Sequence, residues 1–260
     1  MKISIVIPVY NEEDTLRACL EAIANQDLKA DEVIVVDNNS TDKTVEIAKS
    51  FKFVKVIVEK RQGRAYARST GFNVATGEIL GRIDSDTIIA KNWTKQLIKI
   101  FSNKDVAAVS GRHGYYDGLW PEFNGEVDYI FRLILSKQML GNLFLNGGNM
   151  AILSSAWQDI KNDVCFDDEI HEDLDLSIHL NDAGHLVIFS KDLYAKISLR
   201  RFTTGFSALS IYIGMIFKTY KFHHKKINFY FYILLVALVV FYWYIKINAI
   251  YFNHHKKKLN

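Results

Sequence analysis

Ile3-Ser4-Ile5-Val6-Ile7-Pro8-Val9-Tyr10-Asn11-Glu12 sets the reading of the whole chain. Ile3 to Pro8 is a short β-branched apolar run, the signature of a buried strand. It stops in a polar cluster, Tyr10-Asn11-Glu12. Asn11 then reads as a helix N-cap with Asp14 in the first turn, and the helix runs to about Ala24. The pattern recurs. Glu32 to Asp37 reads as a second strand, and Asn38-Asn39-Ser40-Thr41-Asp42 as a turn and the cap of a second helix. Phe53 to Val58 is a third strand, Arg64 to Ala75 a helix, and Glu78 to Ile83 a fourth strand ending in Asp84-Ser85-Asp86. Strands alternating with helices at this spacing predict an α/β fold with a mainly parallel central sheet covered on both faces. Ligands of such sheets bind beyond the carboxyl ends of the strands. Three polar clusters fall there, and together they predict one site.

Several classes drop out at once. The chain has 260 residues, 49% of them hydrophobic and 23% charged, which excludes intrinsic disorder, a collagen-like repeat and a disulfide-stapled module. Neither a Gly-x-x-x-x-Gly-Lys-Ser/Thr loop nor a Gly-x-Gly-x-x-Gly turn follows the first strand, and Gly147-Gly148 lacks that setting. Cys19 and Cys165 form no Cys-x-x-Cys pair, so a reduced compartment is expected and a cysteine zinc site is not.

The acids suggest chemistry. Asp84-x-Asp86 at a strand end offers oxygen ligands to a hard cation such as Mg²⁺ or Mn²⁺, which shares them with substrate phosphates. In His171-Glu172-Asp173-Leu174-Asp175-Leu176-Ser177-Ile178 the spacing of Leu174 and Ile178 predicts a helix with Glu172 and Asp173 in its first turn. Such acids either answer the helix dipole or take a proton from an acceptor hydroxyl. Gly184 stops that helix.

Over residues 1–205 the chain resembles a family-2 glycosyltransferase with the GT-A fold. The resemblance is carried by Ser4 to Glu12, Glu32 to Asp42, Gly63 to Gly71, Ala75 to Glu78, Asp84 to Asp86, Gly147 to Ala151 and Glu172 to Leu176, in that order. It implies that Pro8, Tyr10 and Glu12 line a nucleotide pocket and that Asp37 pairs with the base, with Asn39 alongside. It implies too that Arg64 and Arg68 approach the nucleotide and its phosphates, that Asp84 and Ser85 face the ribose or sugar, and that Asp86 holds the metal, Mn²⁺ or Mg²⁺. Asp173 matches the family's general base, and Gly148, Asn149 and Glu172 lie on the acceptor side. The implied reaction is an inverting transfer from a nucleotide-diphosphate sugar, UDP-sugars favoured, to a hydroxyl of a lipid-linked or envelope glycan. Two alternatives stand beside it: a polyprenyl-phosphate acceptor, which needs no general base, and a non-catalytic sugar-nucleotide scaffold. Arg200 and Arg201 follow Ser198 as in relatives with a Ser-x-Arg-Arg-Phe segment, not the Gln-x-x-Arg-Trp of processive enzymes. An arginine pair there suits a diphosphate clamp.

Charge divides the chain. From Ser190 onwards twelve Lys/Arg face the single acid Asp192, a net +11 that leaves −8 on residues 1–189. Within this basic tail, residues 206–260, Phe229 to Ile245 is a 17-residue stretch without a charge, aromatic at both ends. As a helix it would reach roughly 26 Å, enough to be read as a marginal membrane span. Phe206 to Phe217 reads as an interfacial helix beside it. Met1 leads straight into a strand, so no signal peptide is expected. The expected location is the cell membrane, with the catalytic domain on the cytoplasmic side and membrane lipid as a partner. The lysines surround an apolar segment instead of alternating with stacking aromatics, so nucleic acid is not an expected partner. His223-His224 and His254-His255 read as part of this solvated basic flank.

Overall fold

The computed structural model describes residues 1–118, 120–140, 143–200 and 206–225, with individual positions between 229 and 251. Strand β1 (Ile3–Val9) lies between β2 (Glu32–Asp37) and β4 (Ile79–Arg82), parallel to both, and β3 (Val54–Val58) pairs in parallel outside β2. The helices α1 (Leu16–Ala24), α2 (Thr44–Lys49) and α3 (Arg64–Val74) connect them. Alternate side chains of β1 face opposite ways. Ile3, Ile5, Ile7 and Val9 pack with Leu16, Cys19, Leu20 and Ile23 of α1. Val6 packs with Ile34, Val36 and Leu80, against Ala67 and Phe72 of α3. Both faces are buried, which explains an apolar run without polar alternation. Each fully buried Ile or Val contributes on the order of 1.5–3 kcal/mol.

Asn11 does not cap α1, which begins at Leu16 behind Thr15. Asn11 has φ of 53°, a left-handed conformation that Asn tolerates, and it joins two strand-end loops. Its N–H donates to Ser40 Oγ, and its Oδ1 accepts from the Thr41 N–H.

The second half adds antiparallel pairs to the expected mainly parallel sheet. It adds β5 (Ile88–Ile89), α4 (Trp93–Phe101), β6 (Val106–Tyr115), α5 (Pro121–Leu140), β7 (Met150–Leu153), α6 (Ser154–Ile160), α7 (Glu172–Asp182) and β8 (Leu186–Ile197). The order is β3-β2-β1-β4-β7-β6-β8-β5. β7 runs antiparallel to β4 and β6, β8 parallel to β6, and β5 antiparallel to β8, so the sheet is mixed. Because β7 pairs Met150 with Arg82, its start lies beside the end of β4. An antiparallel neighbour thereby brings residues 146–149 to the end of the sheet that carries Asp84 and Asp86.

The C-terminal part also departs from expectation. Helix α8 (Phe206–Phe222), expected over Phe206 to Phe217 as an interfacial helix, docks on α7, where Ile216 and Tyr220 pack with Leu174 and Ile178. Among the described residues no helix is long and apolar enough to cross a membrane. Part of 229–245 lies outside those residues, as does the His254-His255 pair. Of its described positions, Tyr244 packs with Tyr115 and Leu199, and its hydroxyl donates to Asn124 Oδ1 at 2.8 Å.

Candidate active site

Arg82, near the end of β4, organises the site. Its side chain is only 4% exposed, and no sequence feature above assigned it a role. Nη2 lies 3.1 Å from Asp84 Oδ1 and 3.7 Å from Glu172 Oε1, and Nη1 donates to Asp173 Oδ1. Burial alone would disfavour its charge, but Asp173, Asp84 and Glu172 outweigh that and raise its pKa. The signal was available: an arginine inside an apolar strand buried on both faces requires buried acids to meet it.

The acids come from the first turn of α7. Asp173 Oδ2 accepts from the Gly147 N–H at 2.9 Å, so both its oxygens are held. Each retains a free lone pair for an acceptor proton. Burial pushes the Glu172 carboxyl up, but His171, Arg82 and Arg64 prevail and hold it below the ordinary carboxylate range. Arg68, expected at the phosphates, is fully buried and donates through Nη1 to the Glu172 carbonyl. It supports the turn that presents the acids and is not placed to reach a phosphate.

Glycine at 147 has a steric reason, since a Cβ there would lie 1.1 Å from Arg82 Nη1. Gly148 borders the site, where a Cβ would come 3.4 Å from Asp84 Oδ2. Asn149, expected on the acceptor side, is instead fully buried. Its Nδ2 donates to the Arg112 and Leu193 carbonyls, and its Oδ1 accepts from Trp93 Nε1. It ties β6, β8 and α4 together.

A second charge centre lies at the other strand ends. Arg200 Nη2 donates to Glu12 Oε1 at 2.6 Å, and its Nε lies 3.1 Å from Asp86 Oδ2. Arg201 lies outside the described residues. Glu12 and Asp86 thus already attract a cation to one point. Their hard oxygen donors suit a divalent ion such as Mn²⁺ or Mg²⁺ in charge and in chemistry. Ser85 is buried, and the neighbouring Thr87 hydroxyl donates to the Gly148 carbonyl. Beneath, burial and the charges of Asp86 and Asp84 push the Cys19 thiol up, and Cys19 and Cys165 are both free.

The residues expected to line a nucleotide pocket lie at the ends of β1 and β2 and in the loops that follow them. Tyr10 is exposed, Pro8 half-buried, and Asp37 nearly buried with Oδ1 accepting the Ser40 N–H. Asn39, with φ of 69°, donates to the Lys60 carbonyl and Gln62 Oε1. Asn38, read from sequence only as part of a turn and polar cluster, donates to the Glu59 and Arg61 carbonyls and accepts the Gly63 N–H. It fixes the entry to α3, where Arg64 stands.

A mixed α/β sheet with acids and arginines converging at its strand ends is the class this geometry defines. The chain belongs to glycosyl transferase family 2, whose profile matches residues 4–160. It is 37% identical over 120 residues to the glycosyltransferase GlyG of Streptococcus pneumoniae, covering 44% of this chain and 40% of that protein. The chain thus spans well under two thirds of that relative's length. The mannosyltransferase PcManGT of Pyrobaculum calidifontis, solved with GDP-Man and Mn²⁺, superposes over 100% of this chain and 76% of its own, with a TM-score of 0.67 at 20% identity. Residues 1–349 of S. aureus TarS, solved with UDP-GlcNAc, give 0.61 over 81% of this chain and 61% of their own, at 21% identity. At these identities the likeness establishes the fold, which is GT-A-like.

Proposed function

We propose that the chain is an inverting glycosyltransferase moving a sugar from a nucleotide-diphosphate donor to a hydroxyl of a glycan or glycolipid. The observation that carries this is Arg82 gathering Asp84, Glu172 and Asp173 at one strand end, beside Glu12 and Asp86. Named glycosyltransferases among its relatives, and structural neighbours holding GDP-Man or UDP-GlcNAc, support the same reading. Asp37 would pair with the base, Tyr10 and Pro8 would flank it, and Asp84 would face the ribose or sugar. Asp86 would hold the divalent ion, whose charge would neutralise that on the departing diphosphate. Arg200 would meet that diphosphate, and Arg64, at the start of α3, would approach the nucleotide and its phosphates. Asp173 would take the acceptor proton as its oxygen bonds to the anomeric carbon and the bond to the diphosphate breaks. One displacement inverts the configuration.

We place residues 1–205 in the catalytic domain and the tail at the cytoplasmic face of the cell membrane. Phe229, Val236, Val240, Ile247 and Ile250 are all exposed, and the lysines around them favour anionic lipid.

The test is donor binding and turnover across UDP-, GDP- and dTDP-sugars with Mn²⁺, with Mg²⁺ and with EDTA. One donor should turn over and lose that turnover with EDTA or Asp86→Ala. A well-folded chain that binds no nucleotide under any metal condition overturns the reading.

A further inference from the structure

Away from the strand ends, three side chains converge between α7 and α8. Asp175 and His179 stand one turn apart on α7, and His223 follows the end of α8. His223 Nε2 lies 2.8 Å and His179 Nε2 3.4 Å from the same oxygen, Asp175 Oδ1. The three potential ligand atoms lie within 4.8 Å of one another. The His223 ring is 7% exposed, so the residue read from sequence as part of a solvated flank is buried. Asp175 is fully buried, and its Oδ2 is fixed by the Cys165 N–H at 2.9 Å.

Two imidazoles and one backbone N–H hold this buried carboxylate. A buried carboxylate requires a cation close by. Among the described residues its ion partners are these two imidazoles, which carry charge only when protonated. His179 Nε2 faces the shared oxygen yet has no hydrogen-bond partner among the described residues. Tetrahedral zinc ligands sit roughly 3.3 Å apart, and the two contacts to Asp175 bracket that spacing. Two ligands at i and i+4 on one helix, a third from another, and an outer hydrogen bond orienting the carboxylate is a metal-site arrangement.

We infer that Asp175, His179 and His223 form a second metal site, selective for a borderline cation of the Zn²⁺ class. Two nitrogens and one oxygen suit Zn²⁺, Co²⁺ or Ni²⁺ better than Mg²⁺ or Mn²⁺, which the all-oxygen donors near Asp86 favour. The site straps α8 to the helix whose first turn carries Glu172 and Asp173. It is independent of the proposed transfer reaction, because none of its ligands belongs to that site.

The full chain is stripped with chelator, dialysed against Zn²⁺, and its bound metal measured by mass spectrometry. We expect one Zn²⁺ per chain, retained in Asp86→Ala and weakened at least about tenfold in His179→Ala and in His223→Ala. Co²⁺ in its place should show the visible bands of a four-coordinate ion. Zn²⁺ should raise the melting temperature of the wild type and leave that of His179→Gln unchanged, a comparison that stands even if His223→Ala fails to fold. No stoichiometric zinc in folded protein, equal binding in wild type and His179→Gln, or loss of zinc in Asp86→Ala each overturns the inference.

Discussion

Arg82 Nη1 donates to Asp173 Oδ1, and this contact joins the strand that ends in Asp84-Ser85-Asp86 to the helix that begins with Glu172-Asp173. The two acidic motifs lie about ninety residues apart in sequence, and one guanidinium holds them in a single site.

Removing that cation strands three acids. Arg82→Met should lower stability by about 3–5 kcal/mol, the usual cost of leaving buried charges unpaired. Arg82→Lys should recover part of this, because an ammonium keeps the charge but not the fork that reaches Asp84 and Asp173 together. Chemical denaturation measures both, and equal stability of Arg82→Met and wild type would refute the pairing.

Asp173→Asn preserves shape. Its carbonyl oxygen can still accept from Arg82, while its amide group faces the Gly147 N–H and removes the proton acceptor. We expect kcat to fall roughly 10²–10⁴-fold, with the donor KM little changed. Steady-state kinetics with the donor found active would check it, and substantial residual turnover would point to an acceptor that is already ionised.

The two neighbouring glycines should respond unequally. A Cβ at position 147 would overlap Arg82 Nη1, whereas at 148 the nearest atoms are Asn146 Oδ1 at 3.3 Å and Asp84 Oδ2 at 3.4 Å. Gly147→Ala should cost on the order of 1–3 kcal/mol or more and displace Arg82. Gly148→Ala should cost less and act on activity. Thermal melting and kinetics of the pair separate the two effects.

His113, within β6, predicts a pH dependence. Burial and the Arg132 charge push its imidazole down to about 4, despite Asp128 nearby, from an ordinary 6.5. Below pH 6.5 the unfolded chain takes a proton that the folded chain refuses until about 4, so stability falls as pH drops through that window. The loss amounts to about 3 kcal/mol at the lower end. Denaturation of His113→Gln beside wild type from pH 7 to 4 should show a shallower decline in the variant.

The first half of the chain was legible because its signals are local. β-branched runs buried on both faces state their strands outright, and the polar residues that stop them mark the ligand end of the sheet. The second half was not, since β5 has two residues and the reversal at β7 depends on which strand it meets. Roles that depend on burial were equally hidden. Arg68 and Asn149 have residue types suited to ligands, but the fold turns both inward to satisfy backbone groups. His223 shows the converse, a residue in a basic stretch that ends up beside a buried carboxylate.

The pairing of Arg200 with Glu12 and Asp86 sets a tethered cation between two carboxylates at the strand ends. On the proposed reading, Asp86 would exchange this tethered guanidinium for a divalent ion, and a diphosphate would give the freed arginine a new counter-charge. Donor entry would then be a swap of partners at nearly constant local charge. The chain segment at Arg200, anchored through Ser198 to Asp117, is the part whose position would report such a swap.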